Sequence, residues 1–327
     1  MLDAMLKTRL PAGKTLPLVV GIEGAARDAG PRPDTHTRRW LERRDELREK
    51  LLAHGALLLR GGRALEPPEL AHFVREFSGR ELLDYAGGVS PRVALGGRVY
   101  TSTEYPEHYT LSLHNEMSYT YRWPALLFFH CAVAPAGGGE TPVADSRRLL
   151  GAIGAEVVGR FKRGGGVMYE RNLTGDAASG YSWQAAFETE DGRVVEDYCR
   201  RGGVSFTWKG DGGLRLSEVR PATAAHPQTG EEVWFNQADG FHPSGMDDET
   251  YRALVATLGE DNLRLNARFG DGSPIDAALL ERVRAAFRAE MALVPWRAGD
   301  TLILDNMLAA HGRMPFTGPR KILLAMT

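Results

Sequence analysis

The sequence is poor in cysteine and has no long apolar run, and these two shortages exclude several classes of protein. Its 327 residues include two cysteines, Cys131 and Cys199, so one disulfide is conceivable but a disulfide-stapled scaffold is excluded. No segment approaches the roughly 18 apolar residues of a membrane helix. The first residues lack the apolar core of a secretory signal. We therefore expect a cytoplasmic protein that has no membrane as its partner.

An excess of charge of one sign is also missing. Lys and Arg number 40 against 42 Asp and Glu, and the net charge is −2 at pH 7. Since no basic block interleaves with aromatic residues, we expect no nucleic-acid partner. Gly137-Gly138-Gly139 lacks the following residues of a phosphate-binding loop. Apolar residues make up 43% of the chain and charged residues 25%, which is typical of a globular protein with a large core.

Short apolar runs bounded by turn residues predict many strands, with helices near the start and between strands. We expect helices at 34–54, 67–77, 147–160, 247–258 and 275–290. We expect strands at 56–61, within 97–145 (including a central strand, 126–133), on both sides of a turn at 227–230, at 300–304 and at 321–326. This order predicts a mainly β fold with helical cover in the α+β class, a β-sandwich or jelly roll.

We expect one domain over residues 1–327, with an N-terminal extension at 1–32. Residues 164–222 are rich in glycine and charge, which predicts a mobile insertion with short elements. Tyr181 and Trp208 lie in this insertion and could close over a substrate as a lid.

The first residues with catalytic potential are His114 and Glu116. On a strand, side chains two residues apart share a face, so His114 and Glu116 would point into one cavity and Asn115 would point out. With a second histidine from a distant strand, they would form the two-histidine, one-carboxylate set of non-haem Fe(II) oxygenases. A hydrogen-bonded core histidine beside a surface glutamate is the alternative interpretation.

The second group lies near the C-terminus. A buried strand precedes Asp305-Asn306, and His311 follows as the candidate second histidine. Arg320 comes nine residues later, before an apolar run, where a guanidinium needs an anion if it is buried. A dicarboxylate could supply that anion through a bidentate contact, and a surface salt bridge is the alternative. The Thr141 hydroxyl, at a predicted strand start, could also bind a carboxylate.

These residues together resemble the TauD/TfdA family of Fe(II)/2-oxoglutarate dioxygenases. The motifs that carry the resemblance are His114-x-Glu116, Gly138-Gly139-Glu140-Thr141, His311-Gly312-Arg313 and Arg320. The runs 226–237 and 55–61 extend it, so that it covers about residues 50–327. The most similar branch is the clavaminate-synthase-like and SyrP-like one, whose members hydroxylate amino acids in natural-product pathways.

The resemblance implies a double-stranded β-helix, or jelly roll, and a role for each matching residue. His114, Glu116 and His311 would bind Fe(II). Arg320, assisted by Thr141, would bind the distal carboxylate of 2-oxoglutarate, and O2 would be the second cosubstrate. Arg320 lies slightly closer to its histidine than in some relatives, so Arg313 is a weaker alternative for the anion.

The glutamate at position 116 indicates which branch of the family the chain resembles. Many relatives carry aspartate there, and glutamate occurs among the amino-acid hydroxylases. The resemblance therefore implies hydroxylation of an unactivated C–H bond of an amino acid or derivative, free or carrier-bound, in antibiotic-type biosynthesis. Retention of Glu116 argues against halogenation. Desaturation, epoxidation and cyclisation stay open, as does scavenging of a sulfonate or betaine. A non-catalytic 2-oxoglutarate-binding protein and a hydrolytic zinc enzyme are further alternatives.

Further residues are predicted to contact the substrate. Asn236 and Gln237 are the first candidates for substrate contact, because they lie at the end of a strand that is expected near the iron. The full set of predicted substrate contacts is Asn115, Tyr119, Asn236, Gln237 and Arg313. Four other histidines are expected to be structural or exposed: His108, His130, His226 and His242. The sequence does not determine an oligomeric state.

Overall fold

The computed structural model of the chain describes residues 6–22 and 35–327, so most of the predicted N-terminal extension lies outside the described residues. The strands are β1 (Leu6–Arg9), β2 (Leu18–Ile22), β3 (Ala56–Arg60), β4 (Tyr100–Thr101), β5 (Leu111–His114), β6 (Leu126–Val133), β7 (Gly137–Gly138), β8 (Val143–Asp145), β9 (Val167–Leu173), β10 (Ser205–Trp208), β11 (Leu214–Arg220), β12 (Thr223–Ala225), β13 (Glu232–Trp234), β14 (Leu265–Phe269), β15 (Thr301–Asp305), β16 (Ala309–Arg313), β17 (Phe316–Thr317) and β18 (Lys321–Met326). The α-helices are α1 (Thr35–Glu42), α2 (Arg44–His54), α3 (Pro67–Ser78), α4 (Ser146–Ile153), α5 (Ala155–Arg163), α6 (Trp183–Phe187), α7 (Gly192–Gly202), α8 (Ala238–Phe241), α9 (Asp248–Leu258) and α10 (Ala277–Glu290). In the described ranges, none of the helices combines the length and apolarity required to cross a membrane.

A seven-stranded sheet forms one wall of the fold, in the order β1-β2-β3-β15-β6-β18-β4. All its neighbours pair antiparallel except β2 and β3. Strand β6 lies between β15 and β18, as predicted for a strand that is apolar on both faces. The β12–β13 hairpin also lies where the sequence predicted it.

A three-stranded sheet, β5-β16-β8, faces the inner side of the large sheet. Phe129 and Leu302 of the large sheet share one buried apolar cluster with Leu113 and Val143 of the small sheet. Side chains that alternate along β6 explain this packing, because Phe129 points inward while Phe128 points to the outer face. The result is the jelly roll that the sequence predicted.

Helices α1, α2 and α3 cover the outer face of the large sheet. Trp40, Leu47 and Phe77 of these helices form a second buried cluster with Phe128 and Ile303 of the sheet. Burial of each such side chain contributes about 1.5–3 kcal/mol to the free energy of unfolding. This helical cover fixes the large sheet and therefore the strands that face the small one.

Several predicted boundaries differ from the structure. The helix predicted at 34–54 is divided at Arg43 into α1 and α2, and the one at 147–160 is divided at Gly154 into α4 and α5. Gly154 has a φ of 88°, which a right-handed helix does not accommodate. The conceivable disulfide is absent, because Cys131 and Cys199 are both buried free thiols.

The segment predicted as an insertion, 164–222, contains two seven-residue strands, β9 and β11. They pair antiparallel from Val167 opposite Arg220 to Leu173 opposite Leu214. A four-stranded sheet, β10-β11-β9-β14, results, and its last strand comes from outside the segment. Movement of this unit as a lid, like the division into domains, stays a prediction.

Candidate metal centre

The two histidines lie opposite each other on paired strands. Strand β16 runs antiparallel to β5 with His311 in register with His114, and their ring centroids are 4.5 Å apart. Nε2 of His311 lies 3.7 Å from Oε2 of Glu116. One ligand atom from each of the three residues lies within 4.8 Å of the other two. The structure thus brings together three predicted residues that are up to 197 positions apart.

Glu116 belongs to this cluster, but it is not positioned by the strand that the sequence predicted. Strand β5 ends at His114, so the strand alternation that placed both side chains on one face does not extend to Glu116. A turn follows, in which Met117 has a φ of 55°. Asn306 holds the turn, because its Oδ1 accepts the Glu116 N–H at 2.7 Å and its Nδ2 donates to the Glu116 carbonyl at 2.9 Å. The turn, rather than a strand, therefore aims the carboxylate at the histidines.

A buried arginine sets the charge of the carboxylate. Nη2 of Arg92 donates to Oε2 of Glu116 at 2.7 Å, and the Tyr85 hydroxyl lies 3.4 Å from Oε1. Burial alone would raise the pKa of Glu116, but the charge of Arg92 and the nearby His311 outweigh it and hold that pKa well below its usual range. The carboxylate is therefore ionised at neutral pH.

His114 is in the form that binds a metal. Withdrawal from solvent and the neighbouring His311 lower the pKa of His114 to about 4, so its imidazole is neutral at neutral pH. Nδ1 of His114 lies 2.8 Å from the Ser112 carbonyl, which accepts its proton and leaves Nε2 with a free lone pair. Neutral imidazole and ionised carboxylate are the states that a divalent metal requires. A cluster of two imidazoles and one carboxylate fits Fe(II).

The cluster opens into a narrow cavity that also contains the predicted anion-binding residues. The residues that line it are Arg92, Ser102, Thr103, Leu111, His114, Phe129, Thr141, His311, Gly312, Arg313 and Arg320. Nε of Arg320 donates to the Gly139 carbonyl at 3.1 Å, and Nη1 donates to Oγ of Ser102 at 3.0 Å. Burial and the nearby Arg313 lower the pKa of Arg320 to about 10, so it remains a cation at neutral pH.

Arg313 lines the same cavity but is already engaged. Its Nη1 and Nη2 donate to four backbone carbonyls, those of Thr103, Tyr105, Pro106 and Tyr109, at 2.6–3.3 Å. An anion would have to compete with these bonds. The contacts of Arg313 therefore favour a role in holding the 103–109 segment.

The other predicted substrate contacts lie behind the cluster rather than along the cavity. Asn115 points away from the histidines, as predicted, but into the interior, where Nδ2 donates to Ser146 and to the Asn306 carbonyl. Nε2 of Gln237 donates to the Asn115 carbonyl at 2.8 Å. Asn236 and Tyr119 are also buried; Asn236 Nδ2 donates to the Ala222 carbonyl at 2.8 Å, and the Tyr119 hydroxyl donates to the Gly87 carbonyl at 3.3 Å. Their contact with a substrate stays a prediction.

The other histidines have contacts of a structural kind or lie at the surface. Nε2 of His130 accepts the Leu65 N–H at 2.8 Å, and Nε2 of His226 lies 3.1 Å from Asp305. Nδ1 of His242 accepts the Ser244 N–H, while His108 is exposed beside Tyr109. Trp208 donates to Glu196, and Tyr181 lies against the carbonyls of Gly88 and Ser90.

Comparison with known families decides the assignment. The family described as "Taurine catabolism dioxygenase TauD, TfdA family" matches residues 26–327. The chain belongs to the TauD/TfdA family of dioxygenases. The predicted family is therefore confirmed, and with it an Fe(II)-dependent oxygenase that uses 2-oxoglutarate and O2.

Two relatives of the TauD/TfdA chain match most of its length. The dapdiamide synthesis protein DdaC of Enterobacter agglomerans is 38% identical over 278 residues, which cover 85% of this chain and 83% of the relative. A clavaminate synthase-like protein of Arabidopsis thaliana is 30% identical over 280 residues, covering 83% and 81%. The PvcB structure from Pseudomonas aeruginosa, 16% identical, aligns with a TM-score of 0.55 over 100% of this chain and 92% of that one, which shows the same fold.

Sequence reasoning missed the residues of this TauD/TfdA member that hold the carboxylate. Arg92 and Tyr85 lie in a stretch without a regular apolar period, so no motif indicated that they contact Glu116. Asn306 was noted only as part of a turn. Ser102 follows a two-residue strand and could not be placed beside Arg320 without the sheet register.

Proposed function

We propose that this protein hydroxylates an unactivated C–H bond of an amino acid or amino-acid-derived molecule in a natural-product pathway. The observation that carries the proposal is that Glu116 clusters with His114 and His311, and that these two histidines line one cavity with Arg320 and Thr141. A site for a metal and a site for a carboxylate thus adjoin each other.

Each residue has a role in this proposal. His114, Glu116 and His311 would hold Fe(II) from one side and leave positions free for cosubstrate and O2. Arg320 and Thr141 would hold the distal carboxylate of 2-oxoglutarate through charge-assisted hydrogen bonds. Phe129 contacts the His311 ring, at 5.0 Å between centroids, and would keep water from this side.

Fe(II), when bound with 2-oxoglutarate and O2, supplies the oxidising chemistry that converts a C–H bond to C–OH while 2-oxoglutarate becomes succinate and CO2. The chain's own residues contribute position and charge. Arg92, Tyr85 and Asn306 fix the Glu116 carboxylate, and Ser112 fixes the ring of His114. Such supporting contacts orient metal ligands and raise metal affinity.

The relatives support an amino-acid-like substrate. One is named for dapdiamide synthesis, and a second PvcB structure is described as an "Fe, alpha-ketoglutarate dependent oxygenase from an isonitrile synthetic pathway". Glutamate at position 116 agrees with the amino-acid hydroxylase branch. Desaturation, epoxidation and cyclisation of the same substrate class would use the same ligands, and a carrier-bound form is included in the proposal.

Coupled turnover tests the proposal. The Fe(II)-loaded enzyme, with 2-oxoglutarate and O2, is offered free amino acids, carrier-bound amino acids, sulfonates and betaines, and succinate and product masses are measured. The proposal predicts one succinate for each amino-acid product that gains one oxygen atom. His311→Ala is the matched inactive control.

Other outcomes identify the alternatives. Loss of two hydrogens from the product indicates desaturation or cyclisation. Coupling to a sulfonate or betaine alone indicates a scavenging dioxygenase. Absence of succinate with every compound, from enzyme that binds iron and 2-oxoglutarate, contradicts catalysis and indicates a binding protein.

A further inference from the structure

Three arginines line the cavity at the metal centre, and two of them already have a defined task. Arg313 donates to four backbone carbonyls. Arg320, in the proposed function, holds the distal carboxylate of 2-oxoglutarate. Arg92 is the third. Among the described residues that line the cavity none is acidic, so its lining contributes three positive charges and no negative one.

The Arg92 side chain is buried and only partly satisfied. It is 4% exposed, and Glu116, at 2.7 Å, is its ion-pair partner among the described residues. The guanidinium lies 4.4 Å from the centre of the Tyr85 ring. Its Nε is buried and has no hydrogen-bond partner among the described residues. A buried guanidinium with an unused N–H is costly unless a ligand supplies the missing acceptor.

Metal binding would increase the need of Arg92 for a negatively charged partner. Glu116 is the only carboxylate of the metal cluster, so a bound Fe(II) would share the charge that now balances Arg92. Arg92 would then face the cavity with less than one compensating negative charge. A substrate carboxylate is the group that restores balance, since guanidinium–carboxylate contacts are strong and directional.

The segment that carries Arg92 is held in place. Arg171 donates to the Gly87 carbonyl at 2.8 Å, Arg264 donates to the Val89 carbonyl, and the Tyr181 hydroxyl lies 3.4 Å from the Ser90 carbonyl. These contacts come from the four-stranded sheet and its connections. An anion at Arg92 would therefore meet a pre-positioned partner, which lowers the entropy cost of binding.

We propose that Arg92 is a specificity-determining residue that binds a free carboxylate of the substrate. The substrate is then a free amino acid or another free acid, rather than an aminoacyl thioester on a carrier protein. This inference rests on the proposed function, because it takes Arg320 as the cosubstrate's partner. A thioester has no negative charge and would leave the buried Nε of Arg92 without a charged acceptor, and a site built to bond a polar group rejects an analogue that lacks it.

Binding to the anaerobic enzyme tests the inference without turnover. The enzyme loaded with Fe(II) and 2-oxoglutarate is titrated with the twenty proteinogenic L-amino acids as free acids, primary amides and N-acetylcysteamine thioesters. Taurine and simple aliphatic carboxylates complete the panel. The readouts are the change in the visible absorption band and the shift in unfolding temperature.

At least one free acid is expected to bind about tenfold or more tightly than its amide and thioester. In Arg92→Gln the acid should lose that preference, and in the exposed control Arg122→Gln the preference should be unchanged. If the Arg92→Gln variant no longer binds iron, the Arg92→Lys variant is used in its place. It keeps the charge but loses the planar fork, so the acid should bind about tenfold more weakly while the band persists.

Equal affinity of wild type for acid and amide, tighter binding of the thioester, or an unchanged acid preference in an iron-loaded Arg92 variant would overturn the inference. Tighter binding of the thioester together with coupled succinate release leaves the proposed function intact. Binding of taurine or simple carboxylates but of no amino acid supports the anion site at Arg92 and contradicts the amino-acid part of the proposed function.

Discussion

The metal centre and the four-stranded sheet each contain a buried glutamate that pairs with a buried arginine, but the two glutamates differ in their other partners. Glu218, in the four-stranded sheet, accepts from Arg171 and Arg220, both at 2.7 Å. Glu116 accepts from Arg92 and also lies against His311, which lines a cavity. Two arginine charges balance the carboxylate of Glu218. The carboxylate of Glu116 has one arginine partner and can also bind a metal.

This difference shows how a binding site can be distinguished from a structural ion cluster. A buried carboxylate bound to two guanidinium groups is held for the fold, and any change in either partner is costly. A buried carboxylate beside two imidazoles has unused capacity as a metal ligand. Substitutions that affect the two glutamates should therefore separate iron binding from stability.

The largest expected effect follows Glu116→Gln. This change removes the only carboxylate of the metal cluster, so iron affinity should fall by more than the roughly 10–100-fold that loss of a supporting contact causes. Turnover should be lost with it. The folded fraction of the Glu218→Gln variant should bind iron with the affinity of the wild type. Anaerobic iron titration measures both, and equal loss of iron by the two variants would remove the distinction between the regions.

The next largest effect is expected for Arg171→Met, which leaves Glu218 with one partner. Arg171 is almost fully buried, so breaking the pair should lower the free energy of unfolding by about 3–5 kcal/mol. Arg215→Met is the control, because the Arg215 side chain is 38% exposed in its pair with Glu170 and should cost about 0–1 kcal/mol. Urea unfolding measures both. Similar stabilities for the two variants would contradict this account of the sheet.

A buried histidine outside the cluster predicts a pH dependence of stability. Burial, reinforced by the charge of Arg63, lowers the pKa of His130 from 6.5 to about 4. Between these values the unfolded chain binds a proton that the folded chain does not. The free energy of unfolding should therefore fall, by up to about 3 kcal/mol, as pH is lowered from 6.5 to 4.

His130→Gln provides the comparison for this pH effect, since a glutamine oxygen can still accept the Leu65 N–H. Its free energy of unfolding should depend less on pH in this window than that of wild type. The exposed His108→Gln is the control and should behave as wild type. An identical pH dependence of His130→Gln and wild type would exclude His130 as the cause.

The smallest effect is expected for Asn306→Ala, which acts on the metal centre through the backbone. Asn306 is fully buried, and it bonds the N–H and C=O of Glu116 and the Pro124 carbonyl. Without it the turn that aims Glu116 loosens, and iron affinity should fall about 10–100-fold. Iron titration checks this, and Asn262→Ala on the surface is the control. Unchanged affinity would show that Asn306 does not position the ligand.

Much of the jelly roll could be predicted because its strands are apolar on one or both faces. Strands β6 and β18 have the predicted bounds, since each is apolar at all but one position. The single helix predicted at 34–54 was wrong, because an apolar period does not show where one helix ends and the next begins. Such breaks depend on backbone angles at single residues, as at Gly154.

The metal cluster could be predicted from residue types and order, but the way in which it is built could not. His114 and His311 follow from strands that pair in register. Glu116 reaches the cluster through a turn fixed by Asn306, a contact between residues 190 positions apart. Arg92 has no local pattern at all, because its position depends on contacts of the 87–90 backbone with a different sheet.

The visible absorption of the anaerobic enzyme tests the central claim most directly. Addition of Fe(II) and 2-oxoglutarate to the wild-type protein should produce a weak charge-transfer band, because chelation of iron by the keto acid requires the intact cluster. The His114→Ala variant should give no band, while the buried but peripheral His226→Gln should retain it. A wild-type protein without a band, or a His114→Ala variant with an undiminished one, would contradict the assignment of His114, Glu116 and His311 as the iron site.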